Sequence, residues 1–397
     1  MILFSNILLV VVASALFVPA LVLFIECFMA LLPGRASASV SEAPRPSIAV
    51  LVPAHNEERT VEATLRCLAP QLAPGDRLIV IADNCTDRTA EVSRGAGAVV
   101  IERRDPHRRG KGHALNYGLQ FLARNPPEVV VIVDADNMVS PDAVGQIACR
   151  AMALGRPVQP RSLSAPPSNP DSLTIVSAFA FTVKNVARPS GLHRLGLPCG
   201  LMGGGMAFPW SVMEKASFAG GNLVEDLQLG VDLALAGNPP VFFFEAAFTD
   251  LLPRRRNAAL SQRRRWEHGH LATLIIQGPR LLVGALRQRR LGLLALGLDL
   301  LVPPLSLLVI VGTLALCAAV LAGALGASWI PAGLLALGGG LVGAAIAGAW
   351  AKFGRTRYPV TALLAGPLYA LWKLPLYWGF LVRRERTWVR AERENGP

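Results

Sequence analysis

The stretch VVVIVDADNM, residues 129–138, runs through five aliphatic side chains and then places two carboxylates one residue apart, at Asp134 and Asp136. A short run of Val and Ile is typical of a buried strand. The acidic pair has two interpretations: the strand simply ends and Ser140–Asp142 caps the next helix, or the carboxylates bind a divalent cation. The neighbouring sequence decides between them.

Strands and helices alternate on both sides of this stretch, after a Ser/Ala/Pro linker at residues 35–46. The predicted strands are 47–52, 77–81, 98–101 and 129–133, and the predicted helices are 57–69, 87–95 and 112–124. This alternation is typical of βαβ units and a mainly parallel sheet, in which ligands bind at the carboxyl ends of the strands. Three of the strands are followed by the polar sequences PAHNEE, ADNCTD and DADN. We therefore predict an α/β domain with its ligand site at that edge.

Two common nucleotide-binding motifs are absent from this region. A dinucleotide-binding fold needs G-x-G-x-x-G after the first strand, where this chain has Pro53–Glu58. A P-loop needs a glycine five places before Gly110, where Asp105 stands, and Ser or Thr after Lys111, where Gly112 stands. The ligand must be bound by other means.

Apolar segments flank the polar middle of the chain. Residues 1–34 carry a single charge, Glu26, and the run is far longer than the roughly 7–15 residues of a signal-peptide core. We predict a retained transmembrane anchor, although Ala36–Ala38 resembles a cleavage site. No charged residue lies between Asp299 and Lys352, a length of roughly 75–80 Å as one helix against a hydrocarbon core of about 30 Å. Residues 299–351 are therefore predicted to form a transmembrane hairpin that turns near Gly326–Pro331.

The remaining C-terminal sequence is less regular. Residues 267–298 are predicted to form interfacial helices. Within residues 352–397, the segment 358–382 contains Lys373 and two prolines, and it precedes an Arg-rich tail. A third crossing would put that tail outside, so we favour an in-plane or re-entrant segment and a basic cytoplasmic tail. The positive-inside rule then places the domain of residues 47–266 at the cytoplasmic face of the cell (inner) membrane.

Charge and cysteine usage narrow the classes of partner. The chain has 39 Lys and Arg against 27 Asp and Glu, a net charge of +12. The excess of positive charge lies near the ends of the predicted membrane segments and in Arg254–Arg265. This placement favours membrane lipids and phosphorylated substrates over nucleic acid as partners. The six cysteines show no paired spacing, which indicates neither a zinc site nor a disulfide framework.

Six motifs occur in a familiar order. They are SIAVLVPAHNEERTVEATL, IADNCTDRT, GKGHALNYG, VVIVDADN, VEDLQLGVDLALAG and QRRRW. Together they resemble the membrane-embedded enzymes of glycosyltransferase family 2, the group of cellulose, hyaluronan and bacterial exopolysaccharide synthases. The similarity covers about residues 47–270. It implies a GT-A catalytic domain, a nucleotide-sugar donor, Mg²⁺ or Mn²⁺ as cofactor, and inversion at the anomeric carbon.

The resemblance also implies a role for individual residues. At the donor side these are Pro53, Ala54 and Glu57 for the nucleoside pocket, Asp83 for the base, Lys111 for the phosphates, and Gln262 and Arg265 for the diphosphate. Asp134 and Asp136 match the D-x-D pair, in which Asp136 is the expected direct metal ligand and Asp134 either a second ligand or a ribose contact. In Glu225-Asp226, the catalytic pair, Asp226 is the expected general base. Trp266 would border the acceptor.

Several of these residues also have a simpler interpretation. Asp83 could form an Asx-turn, Glu225-Asp226 could be an acidic helix N-terminus, and Lys111 could be a solvated loop residue. The sequence MGGGMAF, residues 202–208, is interpreted as a flexible loop near the acceptor. His268 and His270 lack further ligands nearby in the sequence and are not predicted to bind metal.

We predict from this sequence an inverting, metal-dependent transferase that moves a sugar, expected from a UDP-sugar, to a growing polysaccharide. The alternative is transfer of one sugar to a membrane lipid. Few transmembrane spans are predicted for one chain, so a homo-oligomer or a separate export partner is an alternative route for moving a polymer across the membrane. A non-catalytic nucleotide-sugar-binding assembly protein is a third interpretation, but such a relative should have lost Asp226, Asp136 or the Q-x-x-R-W block, and all three are present.

Overall fold

The computed structural model describes residues 2–33, 44–216, 218, 224–251 and 256–382. The chain divides into two compact units that interleave along the sequence. Of the described residues, the helical unit comprises 2–33, 168–196 and 264–382, and the sheet unit comprises 44–167, 197–216, 218, 224–251 and 256–263. Most of the predicted linker (residues 35–43) and the predicted basic tail (residues 383–397) lie outside the described residues.

Eight strands form one sheet. They are β1 (Ile48–Ala54), β2 (Arg77–Asp83), β3 (Val99–Arg103), β4 (Val129–Ile132), β5 (Asn137–Val139), β6 (Val158–Ala165), β7 (Met206–Pro209) and β8 (Val241–Leu251). Their order is β3-β2-β1-β4-β7-β6-β8-β5. Strands β1 to β4 pair in parallel, as do β6 and β8, whereas β7 and β5 are antiparallel to their neighbours. The predicted α/β class with a mainly parallel sheet is confirmed.

Helices connect and flank these strands. In the first half of the chain they are α1 (Ile2–Leu31), α2 (Val61–Leu68), α3 (Thr89–Gly95), α4 (Lys111–Leu122), α5 (Ala143–Leu154), α6 (Ser172–Thr182) and α7 (Arg188–Arg194). In the second half they are α8 (Trp210–Met213), α9 (Glu225–Leu235), α10 (Arg256–Gln288), α11 (Leu291–Leu301), α12 (Leu305–Ala324), α13 (Ile330–Ala349), α14 (Val360–Leu363), α15 (Gly366–Trp372) and α16 (Leu374–Val382).

Both faces of β1, β2 and β4 are buried, which explains why these strands have continuous apolar sequences. Successive side chains of a strand point to opposite faces. In β1, Val50 and Val52 pack with α2 and α5 on one face, and Ala49 and Leu51 pack with α4, α8 and α9 on the other. The core of the sheet unit is therefore two apolar layers around one sheet.

The strand order brings the polar sequences together. The order reverses between β1 and β4, and ligands of such sheets bind at this switch point, beyond the carboxyl ends of the strands. The amide of Val133 donates to the carbonyl oxygen of Leu51 at 3.0 Å, so the residues that follow β1 and β4 leave the sheet side by side. Asp134 is the first residue after that contact.

Helix α5 is not capped by Ser140–Asp142 in the expected way. Asp142 has a φ of 58°, and within the described residues its side chain makes no capping hydrogen bond. The amide of Val144 donates instead to Gln71 Oε1 at 3.1 Å, and Ser140 Oγ accepts from the amide of Ala247 at 3.0 Å. Capping of α5 therefore does not explain the carboxylates of Asp134 and Asp136, which follow β4.

The segment Met202–Phe208 is not the flexible loop that its glycines suggested. Met206–Pro209 is strand β7, which pairs with β4. The residues before it are held by Gln159, a fully buried side chain of β6. Its Oε1 accepts from the amide of Met202 at 2.8 Å, and its Nε2 donates to the carbonyl oxygen of Gly204 at 3.2 Å. A buried amide thus fixes the glycine segment, here defined as Met202–Gly205.

Among its described residues, the helical unit contains three helices that are long and apolar enough to cross a membrane: Asn6–Leu31, Leu305–Ala324 and Ile330–Gly354. The chain turns between the last two at residues 325–329, which overlaps the turn expected near Gly326–Pro331. Residues 358–382 form three short helices instead of one long one. Helix α10 begins at Arg256, well before the predicted start of the interfacial segment.

Two charged groups in apolar surroundings are paired inside the helical unit. Arg188 donates from Nε to Glu26 Oε2 at 2.6 Å and from Nη2 to Asp299 Oδ1 at 2.6 Å. Lys373 is buried and pairs with Glu267. Burying an ion is expensive unless it is paired and hydrogen-bonded, so these contacts explain how apolar segments tolerate Glu26 and Lys373.

The close packing of α7 against α1 can be tested by a substitution at Gly191. A Cβ on Gly191 would collide with the backbone carbonyl of Glu26, which cannot rotate away. We expect Gly191→Ala to lower the free energy of unfolding by about 1–3 kcal/mol because the helices must separate. Thermal unfolding in detergent measures this. Gly340→Ala is the control, since nothing lies within 4 Å of a Cβ at that position of α13, and equal melting temperatures for the two variants would contradict the packing.

Candidate active site

Lys111 stands at the centre of a cluster of carboxylates at the carboxyl edge of the sheet. It is the first residue of α4, and its Nζ lies 2.8 Å from Asp134 Oδ1, 3.3 Å from Asp226 Oδ2 and 3.9 Å from Glu225 Oε1. Asp134 follows β4, whereas Glu225 and Asp226 begin α9. Three sequence motifs that are far apart in the chain therefore meet at one ammonium group, so Lys111 is not a solvated loop residue.

Burial and mutual repulsion control the charges of this cluster. Burial alone would lower the pKa of Lys111, but the carboxylates of Asp134, Asp226 and Glu225 hold it above its usual value. Burial raises the pKa of Glu225 to about 8, with Asp226 as the next cause. Burial also raises the pKa of Asp134, which Lys111 opposes. Strongly shifted groups in one cleft are a mark of functional sites.

Asp226 is placed as a base would be. Its residue is buried, and its Oδ1 has no hydrogen-bond partner within the part of the chain that the structure describes. The other oxygen faces Gly203, where a Cβ would lie 2.5 Å from Asp226 Oδ2 and 3.6 Å from Lys111 Nζ. Glycine is required there because its φ is +87° and because no side chain fits against the carboxylate. The glycine segment therefore lines the cluster directly.

The residues expected to hold a divalent cation fit that task. Asp134 and Asp136 interact electrostatically with each other and with Asp250. Mg²⁺ and Mn²⁺ prefer such oxygen ligands, and Mg²⁺ usually takes one or two carboxylates together with substrate phosphates. In the described residues, no three His, Cys, Asp or Glu side chains are arranged to hold a metal by themselves. A cation here would need the donor diphosphate to complete its coordination.

Asp250 is a candidate that the sequence motifs did not reveal. It lies near the end of β8, directly opposite Asn137 of β5, whose Nδ2 donates to Asp250 Oδ1. Burial raises the pKa of Asp250 well above its usual value, and Asp136 and Asp134 raise it further. The sequence does contain a pattern that points to Asp250. VFFFEAAFTD, residues 241–250, is another largely apolar strand that ends in a carboxylate, like VVVIVDAD.

The predicted nucleoside end lies beside β1 and β2. Asp83 is buried, and its Oδ1 accepts from Arg103 Nη1 at 2.6 Å and from Asn84 Nδ2 at 3.0 Å. Ala54, at the end of β1, lies beside Ala82 in the register of the sheet. Asp83 is therefore more than an Asx-turn: it is fixed by a guanidinium group that no sequence motif singled out.

Pro53 lies in β1, and Glu57 lies in the loop that follows β1. Pro53 is the residue of β1 that pairs with Ile81 of β2. Glu57 follows β1, where its amide donates to Thr89 Oγ1 at 2.7 Å and its Oε2 accepts from Thr60 Oγ1 at 2.7 Å. These contacts tie the loop after β1 to the start of α3, and they shape the edge at which a nucleoside is expected.

The Q-x-x-R-W residues all lie on α10, but they fall in two units. Gln262 is buried in the sheet unit, and its Oε1 has no hydrogen-bond partner among the described residues. Arg265 and Trp266 belong to the helical unit, where the ring of Trp266 packs against Phe181 with centroids 5.7 Å apart. His268 and His270 each contact a backbone carbonyl oxygen through Nε2. The roles of Gln262, Arg265 and Trp266 stay predictions.

Comparisons with known proteins agree with this geometry. Among curated relatives, the protein named "Probable glycosyltransferase YdaM" of Bacillus subtilis is 36% identical over 100 residues, which is 23% of each chain. The 4,4'-diaponeurosporenoate glycosyltransferase of Staphylococcus aureus is 36% identical over 93 residues, 23% of this chain and 24% of that protein. The matched regions thus span about a quarter of the length of these two relatives.

A solved structure extends the similarity to nearly the whole chain. The mannosyltransferase PcManGT from Pyrobaculum calidifontis, in complex with GDP-Man and Mn²⁺, aligns with a TM-score of 0.57. The alignment covers 96% of this chain and 99% of that one at 21% identity. At this identity the likeness shows the fold, and the predicted GT-A fold is confirmed.

The family follows from the sequence itself. The model described as "Glycosyltransferase like family 2" matches residues 44–269, which is more than half of the chain and includes all six motifs. The narrower likeness to cellulose and hyaluronan synthases stays a prediction. The chain belongs to glycosyltransferase family 2.

Proposed function

We propose that this protein is an inverting, metal-dependent glycosyltransferase that takes a sugar from a nucleotide-sugar donor at the cytoplasmic face of a membrane. The observation that carries the proposal is the cluster of Lys111, Asp134, Glu225 and Asp226 at the switch point of a family 2 domain. A UDP-sugar is the donor expected from the family resemblance. PcManGT is in complex with GDP-Man, so a guanine nucleotide belongs in any donor test.

The chain's own residues suit the steps of such a transfer. Asp136 and Asp134 would hold Mg²⁺ or Mn²⁺, which when bound supplies a Lewis acid for the departing diphosphate. Lys111 lies between the D-x-D pair and Asp226, where its charge also stabilises a diphosphate. Arg265 offers a planar, permanently charged guanidinium group for the same phosphates.

Asp226 would accept the proton of the acceptor hydroxyl as it attacks the anomeric carbon. Its Oδ1 is buried and carries no hydrogen bond within the described residues, so it is available as an acceptor. Glu225 is the less suitable base, because burial raises its pKa and so favours its protonated form. A single displacement of this kind inverts the anomeric centre.

The acceptor is the less determined part of the proposal. A growing polysaccharide is the acceptor expected from the family resemblance, and Trp266 offers an aromatic face for a sugar ring. The described residues contain three helices of membrane-crossing length, which is few for a polymer channel. That number favours the second candidate, transfer of one sugar to a membrane lipid. The reaction product separates the two: a polymer of many sugars, or a single sugar that partitions with lipid.

The first test is turnover of nucleotide sugars by the protein purified in detergent, with Mn²⁺ or Mg²⁺ and a panel of UDP- and GDP-sugars. We expect one donor to be consumed with release of the nucleoside diphosphate. Asp226→Asn should lower this rate by roughly 10²–10⁴-fold, because a general base contributes about that much. Asp232→Asn, further along α9, is the matched control. Equal activity of Asp226→Asn and wild type would refute the assignment.

The second test removes the metal. Chelation should abolish turnover, and Mn²⁺ should restore it. Asp136→Asn should lower kcat/KM by roughly 10²–10³-fold, because charge stabilisation by a bound cation is worth several kcal/mol. Asp142→Asn, a left-handed position that favours Asn, is the control. Activity that persists after chelation would overturn the metal dependence.

The third test concerns Gly203. Gly203→Ala introduces a Cβ against Asp226 Oδ2, and a displacement of about 1 Å at a catalytic group costs roughly 10²-fold in rate. Gly237→Ala separates strain from contact, since its φ is +101° and nothing lies within 4 Å of a Cβ there. We expect both variants to lose thermal stability through backbone strain, a further loss in Gly203→Ala from the Cβ contact, and loss of kcat only in Gly203→Ala. Equal kcat values would show that the glycine segment does not line the base.

A further inference from the structure

A second group of polar side chains lies beside the carboxylate cluster, on strands that the mechanism does not yet use. We define it as the polar patch: Asn137 of β5, Ser162 and Ser164 of β6, and Asp250 of β8. Asn137 pairs with Asp250, and Asp250 pairs with Ser164, in the register of the sheet. Residues directly opposite each other on neighbouring strands share a face, so these three side chains form one row.

The polar patch is under-satisfied in hydrogen bonds. Within the described residues, Asn137 Oδ1, Ser162 Oγ and Ser164 Oγ are all buried and all without a partner. Asn137 uses its amide nitrogen on Asp250. Buried polar groups in proteins are nearly always bonded, and three exceptions within one patch of a sheet indicate a ligand that completes them.

The glycine segment places the patch next to the proposed base. A Cβ on Gly204 would lie 3.1 Å from Ser162 Oγ and 3.4 Å from Asn137 Oδ1, whereas a Cβ on Gly203 would lie 2.5 Å from Asp226 Oδ2. Consecutive Cα atoms are about 3.8 Å apart. Because Gly203 faces Asp226 and the next residue, Gly204, faces the polar patch, the patch lies beside Asp226. Asn137 also directly follows Asp136 in the chain.

The chemistry of the patch matches a neutral sugar. A sugar hydroxyl both donates and accepts a hydrogen bond, as do Ser162 and Ser164, and Asn137 Oδ1 and Asp250 add acceptors. Opposed side chains on neighbouring strands have Cβ atoms about 4.5–5.5 Å apart, so one hydroxyl can bond to two of them.

We propose that the polar patch recognises hydroxyl groups of the donor sugar and sets which neutral sugar the enzyme transfers. This rests on the proposed function, because the sugar of a bound donor must extend from a diphosphate near Asp136 towards Asp226. Ser164 and Asp250 contact the sugar, and Asn137 positions Asp250 through its hydrogen bond.

The test compares Ser164→Ala and Asp250→Asn with wild type on the donor found in the panel and on its epimers and deoxy analogues. We expect kcat/KM for the parent donor to fall about 10-fold in both Ser164→Ala and Asp250→Asn, because each variant alters one hydrogen bond to a sugar hydroxyl. For a donor that lacks the recognised hydroxyl, the loss should shrink to below about 3-fold, because no bond remains to be lost. Ser93→Ala is the control, since its buried Oγ is bonded to the carbonyl oxygen of Thr89 at 2.7 Å.

A binding measurement separates sugar recognition from damage to the metal site. Calorimetric affinity for the nucleoside diphosphate with Mn²⁺ should be unchanged in Ser164→Ala, because that ligand lacks the transferred sugar that would reach the polar patch. Equal losses of kcat/KM for every donor, or no loss for any, would overturn the proposal while leaving the transferase function intact. If wild type consumes no donor at all, the proposed function fails and the sugar assignment fails with it.

Discussion

The active edge of this protein depends on one ammonium group held among buried carboxylates. Lys111 Nζ lies within 4 Å of Asp134, Glu225 and Asp226. Asp134 follows β4, whereas Glu225 and Asp226 both begin α9, so two separate parts of the chain meet at this lysine. Removing one partner from a buried, charged cluster leaves the others unpaired, which is strongly destabilising. Because α4 starts at Lys111 and α9 starts at Glu225, the lysine also connects two helices at their first residues. The charge balance of the cluster and the positions of α4 and α9 at this edge of the sheet therefore depend on the same lysine.

The glycine segment meets a second constraint, which is space. Gly203 faces Asp226, Gly204 faces Ser162 and Asn137, and Gly205 faces the ring of Phe248. Gln159 holds the backbone of this segment from a buried position. Each glycine is required by a different neighbour, so the run is an adapted surface and not a flexible connection. Such a surface lets backbone approach both the proposed base and the polar patch.

The parallel half of the sheet could be predicted from sequence, and the antiparallel half could not. Runs such as VVVIV mark β1, β2 and β4 because both faces of those strands are buried, and the polar residues after them mark the ligand edge. Nothing local in MGGGMAF announces that Met206–Pro209 inserts beside β4, since that pairing joins segments far apart in the chain. Arg103, Gln159 and Asp250 were missed for the same reason: their importance lies in contacts across the sheet. The D-x-D, Glu-Asp and Q-x-x-R-W residues could be singled out from the sequence because their motifs are short and contiguous, and their roles stay predictions.

The interleaving of the two units has a consequence for how the protein can be divided. A fragment of residues 44–263 would keep the sheet unit, but it would also carry Ser168–Gly196, which belongs to the helical unit. That segment would lose Glu26 and Asp299, the two partners of Arg188. Breaking a buried ion pair in this way costs about 3–5 kcal/mol, and the apolar surface of α6 and α7 would be exposed as well. No single cut therefore yields an intact catalytic domain, and a soluble version would need residues 168–196 redesigned or replaced by a short polar connection.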